Sequence, residues 1–157
     1  MDIFSAYATD LNAEEKGRWF EIGDIEILVA RSGNRAYNDM ISTQFAAHKH
    51  TLEQKDTPEA RAVANERADK INMLVMSRTI LLGWRGLTRT DAAGNETTGK
   101  MMFKGEELPF SVENAARALA LKEFRNIVSA KSDDFRNYLE EVKAEDAKNS
   151  GTTSIGS

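Results

Sequence analysis

Few side chains in this 157-residue sequence are of a type and spacing that could do chemistry. The two histidines, His48 and His50, form a His-x-His pair of the kind that can ligate a metal. On a helix, however, side chains two apart point about 200° away from each other. No third histidine stands near them and the chain has no cysteine, so the pair reads as a helix end with one half-buried and one exposed imidazole. Paired carboxylates occur at Glu14-Glu15, Glu106-Glu107, Asp133-Asp134 and Glu140-Glu141. General acid–base work needs a carboxyl held in a cleft with a shifted pKa. These pairs lie in polar stretches and read as solvated faces or helix starts. Ser111 precedes a helical pattern without a Gly-x-Ser-x-Gly context and reads as a cap. Gly83 and Gly86 flank Trp84 without a phosphate-loop pattern. The residues therefore point to no catalytic, cofactor-binding or metal-binding set, and the expected role is non-enzymatic.

Binding is better represented. Met101-Met102-Phe103 is an apolar triplet between Lys100 and Lys104 in an otherwise polar stretch. Adjacent apolar residues in such a stretch are either a buried strand or a sticky contact. Methionine adapts to varied partners, which suits a contact surface. The need to cover Trp84 and Phe110 favours burial. Arg78, Arg85, Arg89, Lys100 and Lys104 gather around the same stretch, a local basic patch that could meet an acidic partner, although solvation is the ordinary fate of such a patch.

The totals bound what surrounds these residues. Hydrophobic residues make up 41% of the chain, enough for one core, and charged residues 29%. The net charge of −4 argues against nucleic acid as a partner, which would need a basic footprint. The absence of cysteine excludes disulfides, Cys-ligated zinc and thiol catalysis. Met1-Asp2-Ile3-Phe4-Ser5 has neither a basic n-region nor an apolar h-region, so no signal peptide is expected. Runs such as Ile80-Leu81-Leu82 are far too short to span a bilayer, and no membrane partner is expected.

The pattern of elements predicts a mainly α fold with a small β component: a helical α+β domain over residues 1–148, followed by a disordered tail at 149–157. Phe4, Tyr7, Ala8 and Leu11 recur at helical spacing near the start. Trp19-Phe20-Glu21-Ile22 and Ile25 to Ala30, separated by Gly23-Asp24, predict a β-hairpin with Ile25, Ile27 and Val29 on one face. Tyr37, Ile41, Phe45 and His48 predict a helix from Arg35 to about His50. Thr57-Pro58-Glu59 is a helix start, and the helix is expected to run to about Leu82 with its first half at the surface and its second half in the core. Turn formers Asp91, Gly94, Asn95 and Gly99 mark a hairpin or an irregular flap between two long helices. The second helix starts after Ser111 and is expected to reach about Lys131, with Val112, Ala115, Ala116, Leu119, Phe124, Ile127 and Val128 on its stripe. Ser132-Asp133-Asp134 either caps a final helix bearing Phe135, Tyr138, Leu139 and Val142, or one long helix runs straight through.

One stretch also carries a resemblance. Trp84-Arg85-Gly86-Leu87, a polar turn with Gly94, and Leu108-Pro109-Phe110-Ser111 lead into a helix with Glu113, followed by Phe124, Ile127, Val128 and Phe135. With the Trp19 hairpin and Ala30-Arg31-Ser32-Gly33-Asn34-Arg35-Ala36-Tyr37 before it, this resembles the tail assembly chaperones of long-tailed bacteriophages, the short product of a frameshifted gene pair. The resemblance implies a binding protein that holds the tape measure protein soluble in the host cytoplasm. A longer frameshifted product would recruit tail tube protein, and both products would be absent from the finished virion. Leu87, Met101, Met102 and Phe103 are the expected partner contacts, with Trp84, Phe110 and Ser111 as core or cap. The alternative is a small structural tail or connector protein of the virion. Ala147-Lys148-Asn149 can be encoded as GCA-AAA-AAC, which holds a slippery heptamer suited to a −1 shift. Amphipathic helix faces would also permit self-association into rings or spirals.

Overall fold

The computed structural model describes residues 1–140. Two short helices open the chain, α1 (Ile3–Tyr7) and α2 (Leu11–Lys16). The helical spacing of Phe4, Tyr7, Ala8 and Leu11 does not produce one helix. Asp10 accepts the N–H groups of Asn12 and Ala13 and so starts a second one. Phe4 and Leu11 stay largely exposed, at 72% and 74%.

The predicted hairpin is present as β1 (Arg18–Ile22) and β2 (Ile25–Val29), with Gly23 at φ +61° in its two-residue turn. Asn34 caps α3 (Arg35–Ala47), which is followed by α4 (Lys49–Glu53). Thr57 caps α5 (Pro58–Thr79) with Pro58 in the first turn. The helix ends three residues before the expected Leu82. Leu81–Gly86 is instead a strand, β3, which pairs antiparallel with β2 to give the sheet order β1-β2-β3. An apolar run such as Ile80-Leu81-Leu82 suits a buried strand as well as a helix. The tertiary partners decide: Asn34 Nδ2 donates to the Thr79 carbonyl at 3.0 Å, and the Ala30 N–H donates to the Ile80 carbonyl at 2.8 Å.

Beyond β3 come the flap strands β4 (Thr88–Thr90), β5 (Glu96–Thr98), β6 (Met102–Phe103) and β7 (Glu106–Glu107). The Ser111 hydroxyl accepts the Asn114 N–H and caps α6 (Val112–Leu119) as expected. The second long helix is not continuous. It breaks at Ala120-Leu121, and α7 (Lys122–Asp133) follows. The apolar stripe itself explains the break. From Leu119 to Phe124 is a step of five, which a continuous helix would turn about 140° out of phase. The Arg125 guanidinium donates to the freed Leu119 carbonyl at 3.1 Å. After α7 neither a final α-helix nor a straight continuation appears among the described residues. Asp134 caps a single 3-10 turn, Phe135–Tyr138. Val142 and the tail lie outside the described residues.

The core lies between one face of the sheet and the helices. It holds Ile25, Ile27, Val29, Leu81 and Trp84 from the sheet, Ile80 beside it, and Leu119 and Val128 from α6 and α7. Ile71 and Val75 from the second half of α5 are buried with them, whereas in the first half only Ala64 is. The two ends of the described chain are clasped together. Thr9 and Leu139 form an antiparallel bridge, and the Tyr138 hydroxyl donates to the Val29 carbonyl at 2.8 Å. The Ser132 hydroxyl donates to the Ala30 carbonyl at 2.8 Å. No helix among the described residues is long and apolar enough to cross a membrane.

Candidate functional site: an apolar groove at the base of the flap

The flap is a hairpin standing on a pinched base. β4 and β5 pair over an exposed turn in which the Asp91 carboxylate accepts the N–H groups of Ala93 and Asn95. The backbone bond from Asn95 is the main reason the Asp91 carboxyl sits below its ordinary pKa. At the base, three segments come together through glycine. A side-chain carbon on Gly86 would lie 1.9 Å from the Gly99 carbonyl oxygen, and one on Gly99 would lie 1.9 Å from that of Asp24. The Leu87 N–H donates to the Asp24 carbonyl at 2.9 Å and the Gly99 N–H to the Leu87 carbonyl at 3.1 Å. This contact fixes where the chain re-emerges toward Met101.

β6 and β7 then form a second small hairpin, with Lys104 and Gly105 both at positive φ. Its far side is tied to the core. The Leu108 N–H donates to the Met101 carbonyl at 2.7 Å, and the Leu108 carbonyl accepts the buried Trp84 indole N–H at 2.8 Å. Phe110 meets the Trp84 ring edge-on with centroids 4.9 Å apart. Trp84 is buried in the core, Phe110 packs half-buried against it, and Ser111 caps α6.

Strand alternation splits the methionine triplet, so that neither sequence alternative describes all three residues. Met101 and Phe103 turn inward, half-buried against the core, while Met102 turns outward and is 51% exposed. The Arg117 guanidinium lies 4.9 Å from the Phe103 ring centroid. Together with Ile22, Ile25, Ala118, Leu121 and Phe124, the triplet lines an open, mainly apolar groove of about 410 Å³, with Asp24 and Lys100 at its rim. Leu121 is 53% exposed there because the break between α6 and α7 turns it outward. Sequence reading passed it over; the out-of-phase step between Leu119 and Phe124 is the signal that could have found it. Leu87 is half-buried at the flap base and does not line the groove.

The basic patch is largely neutralised by the chain's own carboxylates. Arg85 donates to Glu26 at 2.6 Å, Arg89 lies 3.6 Å from Glu21, and Lys100 lies 3.6 Å from Glu107. The His48 ring nitrogen lies 2.8 Å from the Arg67 guanidinium, and His50 is exposed. Among the described residues no group of three His, Cys, Asp or Glu is placed to hold a metal ion. Of the carboxylate pairs, Glu14 is bound by Arg31, and Glu106 and Glu107 face solvent. The Arg136 side chain hydrogen-bonded to Asp134 holds that carboxyl below its ordinary pKa. A polar cleft between α3, α5 and α7 is lined by Tyr37, Asp69, Asn72, Arg125 and Asn126, with Met73 and Met76 in its wall.

No curated protein and no solved structure matches the chain significantly. A family model described as YdaY prophage protein matches residues 32–149. That span runs from the start of α3 through the flap and both helices behind the groove, and leaves the β1–β2 hairpin before it. With three quarters of its length inside that match, the chain belongs to the YdaY prophage protein family and is a protein of phage origin.

Proposed function

We propose that this phage protein is a tail assembly chaperone of the host cytoplasm. It holds apolar helix faces of the tape measure protein in the groove at the flap base until tail tube subunits replace it. No catalytic step belongs to this reading. The observation that supports it best is the groove itself: adaptable methionines and exposed Met102 and Leu121 on an apolar floor, open along one side. An amphipathic helix laid in such a groove buries its apolar stripe. A shallow, open groove also releases its occupant, which a handover to tube subunits requires. The phage origin and the sequence resemblance point the same way. Tube recruitment by a longer frameshifted product rests on the resemblance alone, and Ala147-Lys148-Asn149 lies outside the described residues.

The test is co-expression with the neighbouring tape measure gene, followed by a solubility and pull-down assay. Tape measure protein that stays soluble only with this chain, and co-purifies with it, supports the reading. Loss of that effect in Met102→Asp with Leu121→Asp places it in the groove. No effect on solubility, with the protein instead present in purified particles, would replace the chaperone with a structural tail component.

A further inference from the structure

Among the described residues the sheet has an unpaired edge, β1, whose chemistry fits a second copy of this chain. The two-residue turn and the β1–β2 register point the N–H and C=O groups of Phe20 and Ile22 toward β2. Those of Trp19 and Glu21 therefore point outward. Among the described residues no hydrogen bond satisfies them. The strand carries neither proline nor lysine, and its charged residues are Arg18 at its start, held by Asp10 and the Leu139 carbonyl, and Glu21. On the solvent face above this edge, Trp19 lies across Gly83, whose added side-chain carbon would stand 3.6 Å from the indole. The Arg85 guanidinium stacks on the indole at 3.8 Å from its centroid. Trp19 remains 39% exposed. Exposed tryptophan beside arginine is the composition of an interface centre.

We infer that two copies of the chain pair antiparallel through β1, on a two-fold axis at Phe20, to form a continuous six-stranded sheet. In that register Trp19 faces Glu21 of the second copy, and the two residues exchange both backbone bonds. The register is self-complementary in charge. Glu21, opposite Glu26 in its own chain, is offset there by the exposed Arg89 at 3.6 Å, a loose surface contact. Pairing brings it beside the Trp19 indole on which the second copy's Arg85 is stacked. No like charges face one another across the new seam, since Arg18 falls opposite Ile22 and Phe20 opposite itself. An edge this short covers far less than the ~1,600 Å² of a standard stable interface, so the association is concentration-dependent. It does not depend on the chaperone reading and shares only Ile22 with the groove.

Sedimentation equilibrium of the full chain over a wide concentration range tests this, with amide hydrogen exchange read alongside. The expected result is a weight-average mass that climbs from 17.5 kDa toward twice that value, with exchange at Trp19 and Glu21 slowing as it does. Glu21→Pro removes an outward N–H and no bond to β2, and Glu21→Arg sets like charges together across the seam. Both variants are expected to stay at the mass of one chain with a wild-type circular dichroism spectrum. If Glu21→Pro does not fold, Glu21→Arg decides alone. Wild-type protein that remains a monomer throughout overturns the proposal; protected Trp19 and Glu21 amides in that monomer would assign the edge to the chain's own remaining segment. Association undiminished in the variants overturns it as well, and moves the interface elsewhere.

Discussion

Two buried hydrogen bonds, each made by one aromatic side chain, tie separate parts of this molecule together. The Tyr138 hydroxyl reaches the Val29 carbonyl from the far end of the described residues, and burial pushes its phenol well above the ordinary pKa of 10.0. The folded state therefore binds that proton more tightly than the unfolded chain does. The stabilisation is complete below about pH 10 and declines as pH rises beyond it. Urea titrations should show this decline in the wild type and a flatter profile in Tyr138→Phe. The variant should also lose about 1 kcal/mol at neutral pH with the buried bond to the Val29 carbonyl. Trp84→Phe should cost about 2–3 kcal/mol, because it strands the Leu108 carbonyl and opens space against Phe110; thermal melting measures it. Asp134 moves in the opposite direction. Its carboxyl is depressed, so the stability it contributes is present above the normal carboxylate range and is lost as pH falls through its folded pKa.

Among the elements, the glycine pinch decides whether the flap is placed at all. A methyl group at Gly99 or Gly86 meets carbonyl oxygen rather than a yielding side chain. Gly99→Ala should therefore free the flap while the core sheet stays formed. Limited proteolysis should then cut between residues 87 and 100 in the variant under conditions that leave the wild type intact. This scale also shows what the sequence made legible. The caps at Asn34, Thr57 and Ser111 and the Gly23-Asp24 hairpin rest on local hydrogen bonds and backbone preference, so residue types alone reveal them. The end of α5 at Thr79 and the switch to β3 depend on Ala30 and Asn34, residues more than forty positions away. No local pattern distinguishes a helical Ile80-Leu81-Leu82 from a strand. The break at Leu121 was visible as a phase error in the stripe but needed the packing of α6 and α7 to give it meaning.

For the whole molecule, the same distinction separates the two variants that probe the groove. Met101→Asp with Phe103→Asp places charge against the core and should destabilise by about 3 kcal/mol or more, so loss of partner binding would say little. Met102→Asp with Leu121→Asp changes only outward-facing residues and should melt within about 0.5 kcal/mol of the wild type; chemical denaturation compares the two. The triplet marked the site in sequence, but which of its members faces outward came from the β6–β7 register. The clasp between Thr9 and Leu139 has a consequence of another kind. Because Thr9 and Leu139 are bridge partners, the backbone path from one to the other is nearly a closed circuit. A circular permutant that leads from just after Leu139 into Thr9, and opens instead between Ala93 and Gly94 at the exposed flap tip, gives up α1 with its Tyr7–Phe135 ring contact, the residues after Leu139 and the turn around Asp91. It keeps the sheet, the clasp and the groove, and places both new termini at the far end of the flap.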